Sequence, residues 1–395
     1  MRTFAQSAVT RTAVSRTEVI AAAVANNPRT AIVTADRAIA SADVRAARQW
    51  DNPMFGASFT KDAPQQHYTV DLPLDAWWLR APRVSAAESG RDATALRLQF
   101  EIRSIALDAD TAYTRAQLAM ARSRLSARTA GDADSLLVLA RVRRDAGDAS
   151  QLDVELASVF AGQARNLASA DSLAARAALL AMQTMMGLAA DAPSISVSDS
   201  LTLERADDDG RTTTSPLALG AVAREVQAAE SRLLAEQRRR FGAPSLSLGV
   251  ETANPDGPAG ALPTVGLSIP FPLFHRNEAG IAGARAELAR AQAVQALTRL
   301  ESSAAVLAAR RDADAARAQA ERSATLVASA DRITAMSLLA YREGASTLLV
   351  VLEAQRTARE TLLQYFEDVA ASRVATSVLR LLTTPVTTPA PETRP

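Results

Sequence analysis

The chain contains no cysteine, which removes disulfides, thiol catalysis and cysteine-ligated metal centres together. Aromatic residues make up only 4 % of 395 positions, and Ala, Leu and Arg dominate; this is the composition of long helices rather than of thick globular cores. Forty-four basic residues against 43 acidic leave a net charge of +1, so the electrostatic footprint of a nucleic-acid or polyanion binder is missing. No run of 18 or more apolar residues occurs, which argues against a transmembrane helix. The nearest stretch, AALLAMQTMMGLAA from Ala177 to Ala190, is shorter and holds Gln183 and Thr184. Catalytic motifs are lacking as well: there is no GxSxG elbow, phosphate-cradling glycine loop or HExxH helix. His67 and His275 are the only histidines and are not at ligand spacing. No enzymatic role, cofactor or metal centre is expected. Met182, Met185 and Met186, at helical spacing beside Leu179 and Leu180, are assigned to packing.

Proline is unevenly spread, and its gaps define the plan. None occurs between Pro82 and Pro193, or between Pro272 and Pro385, so each interval can be continuous helix broken only where glycine permits a reversal. The reversals are placed at Gly147, in RDAGDASQLDVELAS, and at Gly344, in YREGASTLLVVLEAQ. The first interval then predicts a helix over 83–146 and a return helix over 150–188; the second predicts 278–343 and 347–382. The long helix of the first interval would measure about 100 Å. Before each interval comes a shorter helix (17–49, bent at Pro28, and 216–241) and a pair of alternating strands. The strands are expected at 54–60, 66–74, 245–251 and 264–271, each with one apolar and one small or polar face.

The two halves repeat at a constant offset of 197 residues. Pro73 falls on Pro270, Val70 on Leu267, Ala87 on Ala284, Gly147 on Gly344, Val154 on Val351 and Ala157 on Ala354. The expected organisation is an N-terminal segment (1–16), a first repeat (17–188), a linker (189–215), a second repeat (216–382) and a disordered proline-rich tail (383–395).

Four strands cannot close on themselves, and open edges invite pairing with other chains. Three copies sharing one barrel would supply twelve strands. Nine of the sixteen aromatics, among them Trp50, Phe55, Phe59, Tyr68 and Phe241, lie within 50–78 and 241–274. Trp77, Trp78, Phe271 and Phe274 are the candidates for a lipid-interface girdle. A soluble β-cap with these aromatics as its core is the alternative.

VGLSIPFPLFHRNEAGIAGARAEL (Val265 to Leu288), YTVDLPLDAWWLRAPRVSAAES (Tyr68 to Ser89) and YREGASTLLVVLEAQ resemble the strand-to-helix junctions and second hairpin tip of TolC-type outer-membrane efflux proteins, in particular the CzcC-like heavy-metal branch. The resemblance covers about residues 17 to 383. It implies a mainly α fold with a small β part: a homotrimer with a twelve-stranded outer-membrane β-barrel continuing into a periplasmic α-helical tunnel. It also implies a periplasmic adaptor and an inner-membrane pump, of RND type, as partners. By the same resemblance Tyr341 matches a gate tyrosine, Asp153 its acidic partner and Glu353 a carboxylate-ring position, while Val350 replaces a second ring acid. Gly147, Asp148, Gly344, Ser346 and Thr347 are the implied docking points at the tips. The residues themselves leave two functions open, a passive export conduit or a soluble long-helix scaffold. The first 17 residues show no apolar signal core, so the conduit carries the expectation of an export signal upstream of Met1.

Overall fold

The structure, a computed structural model, describes residues 12–61, 65–188, 191–203, 217–240, 242–252 and 261–383. Of the expected disordered tail (383–395) only Thr383 is described, and it is the last residue of a helix instead; Asp207–Asp209 of the linker and Phe241 also lie outside the described residues. In chain order the elements are β1 (Thr12–Val14), α1 (Arg16–Asn26), α2 (Pro28–Arg48), β2 (Met54–Phe59), β3 (Gln66–Pro73), α3 (Trp77–Asp145), α4 (Gln151–Met185), β4 (Ile195–Val197), α5 (Leu217–Arg239), β5 (Ser245–Thr252), β6 (Ala261–Ser268), α6 (Glu278–Arg342) and α7 (Leu348–Thr383). The 69 residues of α3 amount to about 100 Å of helical rise. No described helix is long and apolar enough to cross a membrane.

The chain forms two compact units, each drawn from both halves: residues 1–31, 101–214 and 303–384, and residues 32–100, 215–302 and 385–395. The second unit contains a four-stranded antiparallel sheet in the order β2-β3-β5-β6. Its register sorts most side chains by polarity, with Met54 and Leu262 the apolar exceptions on the polar face and Gln66 and Thr252 the polar ones on the apolar face. Phe55, Val70, Leu248 and Val265 form one cross-strand row, and Ala57, Tyr68, Val250 and Pro263 the next. Leu72, Leu246 and Leu267 continue this face, which bears no charged residue. Phe55, Val265 and Leu267 are exposed by 71 %, 75 % and 62 %, so the apolar face is left uncovered within the chain. The opposite face carries Gly56, Thr69, Gly249 and Thr264 in one row and Asp71, Ser247 and Gly266 in another. Crowding favours glycine on this face: a Cβ on Gly249 would stand 2.9 Å from the Tyr68 carbonyl oxygen and 2.5 Å from Thr264 Oγ1.

Two sequence expectations are corrected in this unit. The last strand was expected over 264–271 and is found at Ala261–Ser268, because Pro270 and Pro272 lack the N–H a ladder needs; Pro263 is admitted because β6 is an edge strand. The long helix was expected from residue 83, after Pro82, yet α3 begins at Trp77 with Pro82 inside it. The turn before Pro82 is held by side chains instead: Arg83 Nη2 donates to Asp75 Oδ2 at 2.9 Å, and Arg80 Nη2 to the Arg48 carbonyl at 2.9 Å.

In the first unit β1 pairs in parallel with β4, Thr12 opposite Ile195 and Val14 opposite Val197. Neither strand was expected; both fall in segments assigned to a terminus and a linker. Val14, Ile195 and Val197 pack with Val19, Tyr113, Leu179, Met182 and Met186, so two of the three methionines are core. α1 starts on a capping box of Ser15 and Glu18, and the single helix expected over 17–49 breaks at Asn27, whose Oδ1 accepts from Arg29 N at 2.9 Å. The repeat is visible as a duplicated buried contact: Ser126 Oγ donates to Asp171 Oδ2 between α3 and α4, and Ser323 Oγ to Asp368 Oδ2 between α6 and α7. Val154, Ala157 and Ala161 are buried, as are their counterparts Val351, Ala354 and Ala358.

Candidate functional site

The hairpin tips lie in the first unit and share one backbone solution. Gly147 and Gly344 have φ of +85° and +77°, a left-handed conformation that costs a residue with a Cβ about 1–2 kcal/mol. At the first tip Asp148 N donates to Arg143 O at 2.8 Å and Gly147 N to Arg144 O at 2.9 Å; at the second Ala345 N donates to Ala340 O at 2.8 Å and Gly344 N to Tyr341 O at 3.2 Å. Both are Schellman closures, which satisfy carbonyls at the end of the outgoing helix.

The side chains differ. Asp153, expected as a gate partner, sits at the third position of α4 in a capping box: Ser150 N and Oγ donate to its Oδ2 at 3.0 and 2.9 Å, and Asp153 N donates to Ser150 Oγ at 3.2 Å. Tyr341 is 3 % exposed and packs with Val154, Leu348 and Val351. Its hydroxyl has no hydrogen-bond partner among the described residues. The structure therefore brings Tyr341 and Asp153 into one neighbourhood without bonding them. Burial pushes the Tyr341 hydroxyl pKa above its ordinary value; Arg143 opposes this and Asp153 adds to it. Arg143, which sequence reasoning did not select, reaches from α3 to the second tip. Its Nη1 donates to the Tyr341 carbonyl, its Nη2 to Asp148 O at 3.4 Å, and its guanidinium carbon lies 4.7 Å from the Tyr341 ring centroid. Only its place four residues before Gly147 could have flagged it.

Glu353 is exposed and paired with Arg356 at 2.9 Å; Val350 is 52 % exposed. Of the docking candidates, Asp148 and Thr347 are exposed and Ser346 is half-buried. In the second unit Trp77, Phe271 and Phe274 are exposed, and Trp78 meets Trp77 edge-on with centroids 6.1 Å apart. The sheet places one more pair that sequence separation conceals: His67 Nδ1 lies 3.2 Å from Glu251 Oε1.

No family model matches the chain. It is 27 % identical over 289 residues to the nickel-cobalt-cadmium resistance protein NccC of Alcaligenes xylosoxydans xylosoxydans, an overlap of 70 % of this chain. The chain spans 65 % of that relative's length. The outer membrane protein VceC of Vibrio cholerae superposes with a TM-score of 0.78 at 16 % identity, over 94 % of this chain and 96 % of that one. The outer membrane channel CmeC of Campylobacter jejuni superposes with a TM-score of 0.77 at 14 % identity, over 93 % and 85 %. The fold is that of outer-membrane channels, the TolC-type architecture that the sequence motifs resemble.

Proposed function

We propose that this chain is the outer-membrane exit duct of a tripartite efflux system, conducting its cargo passively from a periplasmic adaptor and an inner-membrane pump of RND type. The observation that carries this reading is the four-stranded sheet, whose exposed apolar face has no charge and whose outer strands β2 and β6 each leave an edge unpaired among the described residues. Such a face and such edges are stable only against lipid and against other sheets. Three protomers close a barrel of twelve strands, apolar residues outward and the Gly, Ser and Thr rows toward water. Trp77, Trp78, Phe271 and Phe274 take the interface level.

The helical part serves as the periplasmic tunnel, and the tips are its movable end. Arg143 and Tyr341 hold the two tips of one protomer together; the unpartnered Tyr341 hydroxyl is free to bond a neighbouring protomer. Asp153 primarily starts α4, and Glu353 contributes a carboxylate to a ring around the axis. Gly147, Asp148, Gly344, Ser346 and Thr347 present backbone and short polar groups to the adaptor. The duct performs no bond chemistry. Its cargo is assigned to heavy-metal cations on the likeness to NccC.

Fractionation and detergent sizing test the reading. A heat-sensitive trimer in the outer membrane that conducts ions in a planar bilayer is the expected result, and a soluble monomer would overturn it.

A further inference from the structure

The polar face of the sheet contains three ionisable strand residues, Asp71, His67 and Glu251, and no arginine or lysine. His67 and Glu251 stand opposite each other on β3 and β5, with Nδ1 and Oε1 3.2 Å apart and side chains 23 % and 30 % exposed. The other ring nitrogen, Nε2, lies 3.2 Å from Thr60 Oγ1. Two donors bound to one divalent transition-metal ion at about 2.0–2.2 Å, at angles between octahedral and tetrahedral, are separated by about 2.8–3.6 Å. The His67–Glu251 spacing falls within that interval without rearrangement. Ligating histidines fix ring orientation and tautomer by donating the far ring N–H to an outer acceptor oxygen, usually of a carboxylate, carbonyl or water, and the Thr60 hydroxyl oxygen stands in that place here.

We infer that His67 and Glu251 form a binding station for divalent transition-metal cations on the water-facing wall of the barrel. The ion takes Nδ1 and one Glu251 oxygen; the imidazole proton resides on Nε2 and is donated to Thr60. Among the described residues no group of three or more ligating side chains exists, so water completes the coordination. Two protein ligands hold an ion weakly enough to release it, as a conduit requires. Imidazole favours nickel, cobalt, copper and zinc over magnesium and calcium, so the station distinguishes cations by class. Asp71, two residues beyond Thr69 on the same face, extends the negative wall. This inference rests on the proposed duct, because only the barrel makes this face a water-filled wall, and it specifies the cargo class.

The chain's two histidines make the test direct. The purified trimer, labelled with 15N-histidine, is titrated with Ni²⁺ and, as a control, Mg²⁺. The His67 imidazole signals should respond to Ni²⁺ and not to Mg²⁺. Glu251→Gln should raise the apparent dissociation constant at least tenfold, and Thr60→Val should raise it about tenfold through the outer partner. Glu251→Asp keeps the charge but withdraws the oxygen by one methylene, so it should weaken binding too; full binding in this variant would reduce the site to a diffuse field and overturn the chelate. A His67 signal unmoved by Ni²⁺, or shifted equally in Glu251→Gln, also overturns it. A trimer that conducts but fails this titration refutes the station alone. A chain that neither trimerises nor enters the outer membrane refutes the duct instead.

Discussion

The two hairpin tips have the same backbone and opposite side chains. Each outgoing helix closes over a left-handed glycine, yet where the first tip has Arg144 the second has Tyr341, and where the first has Asp153 the second has Val350. The first tip is charged and capped: Ser150 and Asp153 satisfy the start of α4. At the second, Thr347 precedes α7 with Val350 at the third helical position, which has no carboxylate to complete a box. Arg143 bridges the difference by lying on Tyr341. Duplication thus preserved what the backbone demands and left charge free to diverge, so that one tip provides the polar contacts and the other the buried surface they grip.

Removing Arg143 should break this asymmetric grip most severely. Arg143→Ala loses the ring contact and both carbonyl bonds, about 2–3 kcal/mol together, and hydrogen exchange should rise at residues 338–351 more than anywhere in α4. Retained protection there would mean that apolar packing alone holds the tips. Next come the glycines. Gly147→Ala and Gly344→Ala should each cost about 1–2 kcal/mol. The two should be equal, because a Cβ meets nothing within 4 Å at Gly147 and only Arg143 Nη2, at an ordinary 3.6 Å, at Gly344. Unequal losses in thermal unfolding would show that the tips differ in backbone as well as in side chain.

Asp153→Ala should cost about 1 kcal/mol, all of it at the start of α4. The reciprocal change, Val350→Glu, completes a box with Thr347 and should add roughly 0.5 kcal/mol to α7; the readout for both is exchange protection in the first turn. The smallest effect is expected from Tyr341→Phe, which removes a buried hydroxyl without a partner among the described residues. The protomer should be unchanged or steadier by about 0.5 kcal/mol, whereas basal conductance of the trimer should rise if a neighbour supplies the missing bond. The raised pKa of this hydroxyl fixes a pH direction. Below the ordinary tyrosine value, about 10, the buried neutral form is fully stabilising. That contribution disappears as pH climbs through the higher folded value, so tyrosinate absorbance and tip loosening should appear together only in strong alkali.

The architecture could be read from the sequence because its determinants are local. Glycine at 147 and 344, proline at 73 and 270, and alternation in the strands each dictate a backbone event at their own position. Three of the four strands and the α6 boundaries follow from such signals. Where a distant partner decides, the sequence is silent. β1 and β4 are three residues each and are stable only because each supplies the other's ladder. Trp77 to Ala81 is helical only because Asp75 and the Arg48 carbonyl receive Arg83 and Arg80. In the candidate site, Tyr341 and the glycines were recognisable from their motif. Arg143 was not, since its worth depends on which residue faces it across the hairpins, and the His67–Glu251 pair joins strands from different halves.

The parallel pairing of Thr12–Val14 with Ile195–Val197 imposes an order of events on synthesis. The strand that precedes α1 waits unpaired until nearly half the chain has been made, although the helices between could already have docked. A protein truncated after α4 therefore has every helix of its first repeat and still lacks the strand that anchors its beginning. The two halves, so alike in plan, are not interchangeable modules; the first is finished only when the passage to the second has been laid down.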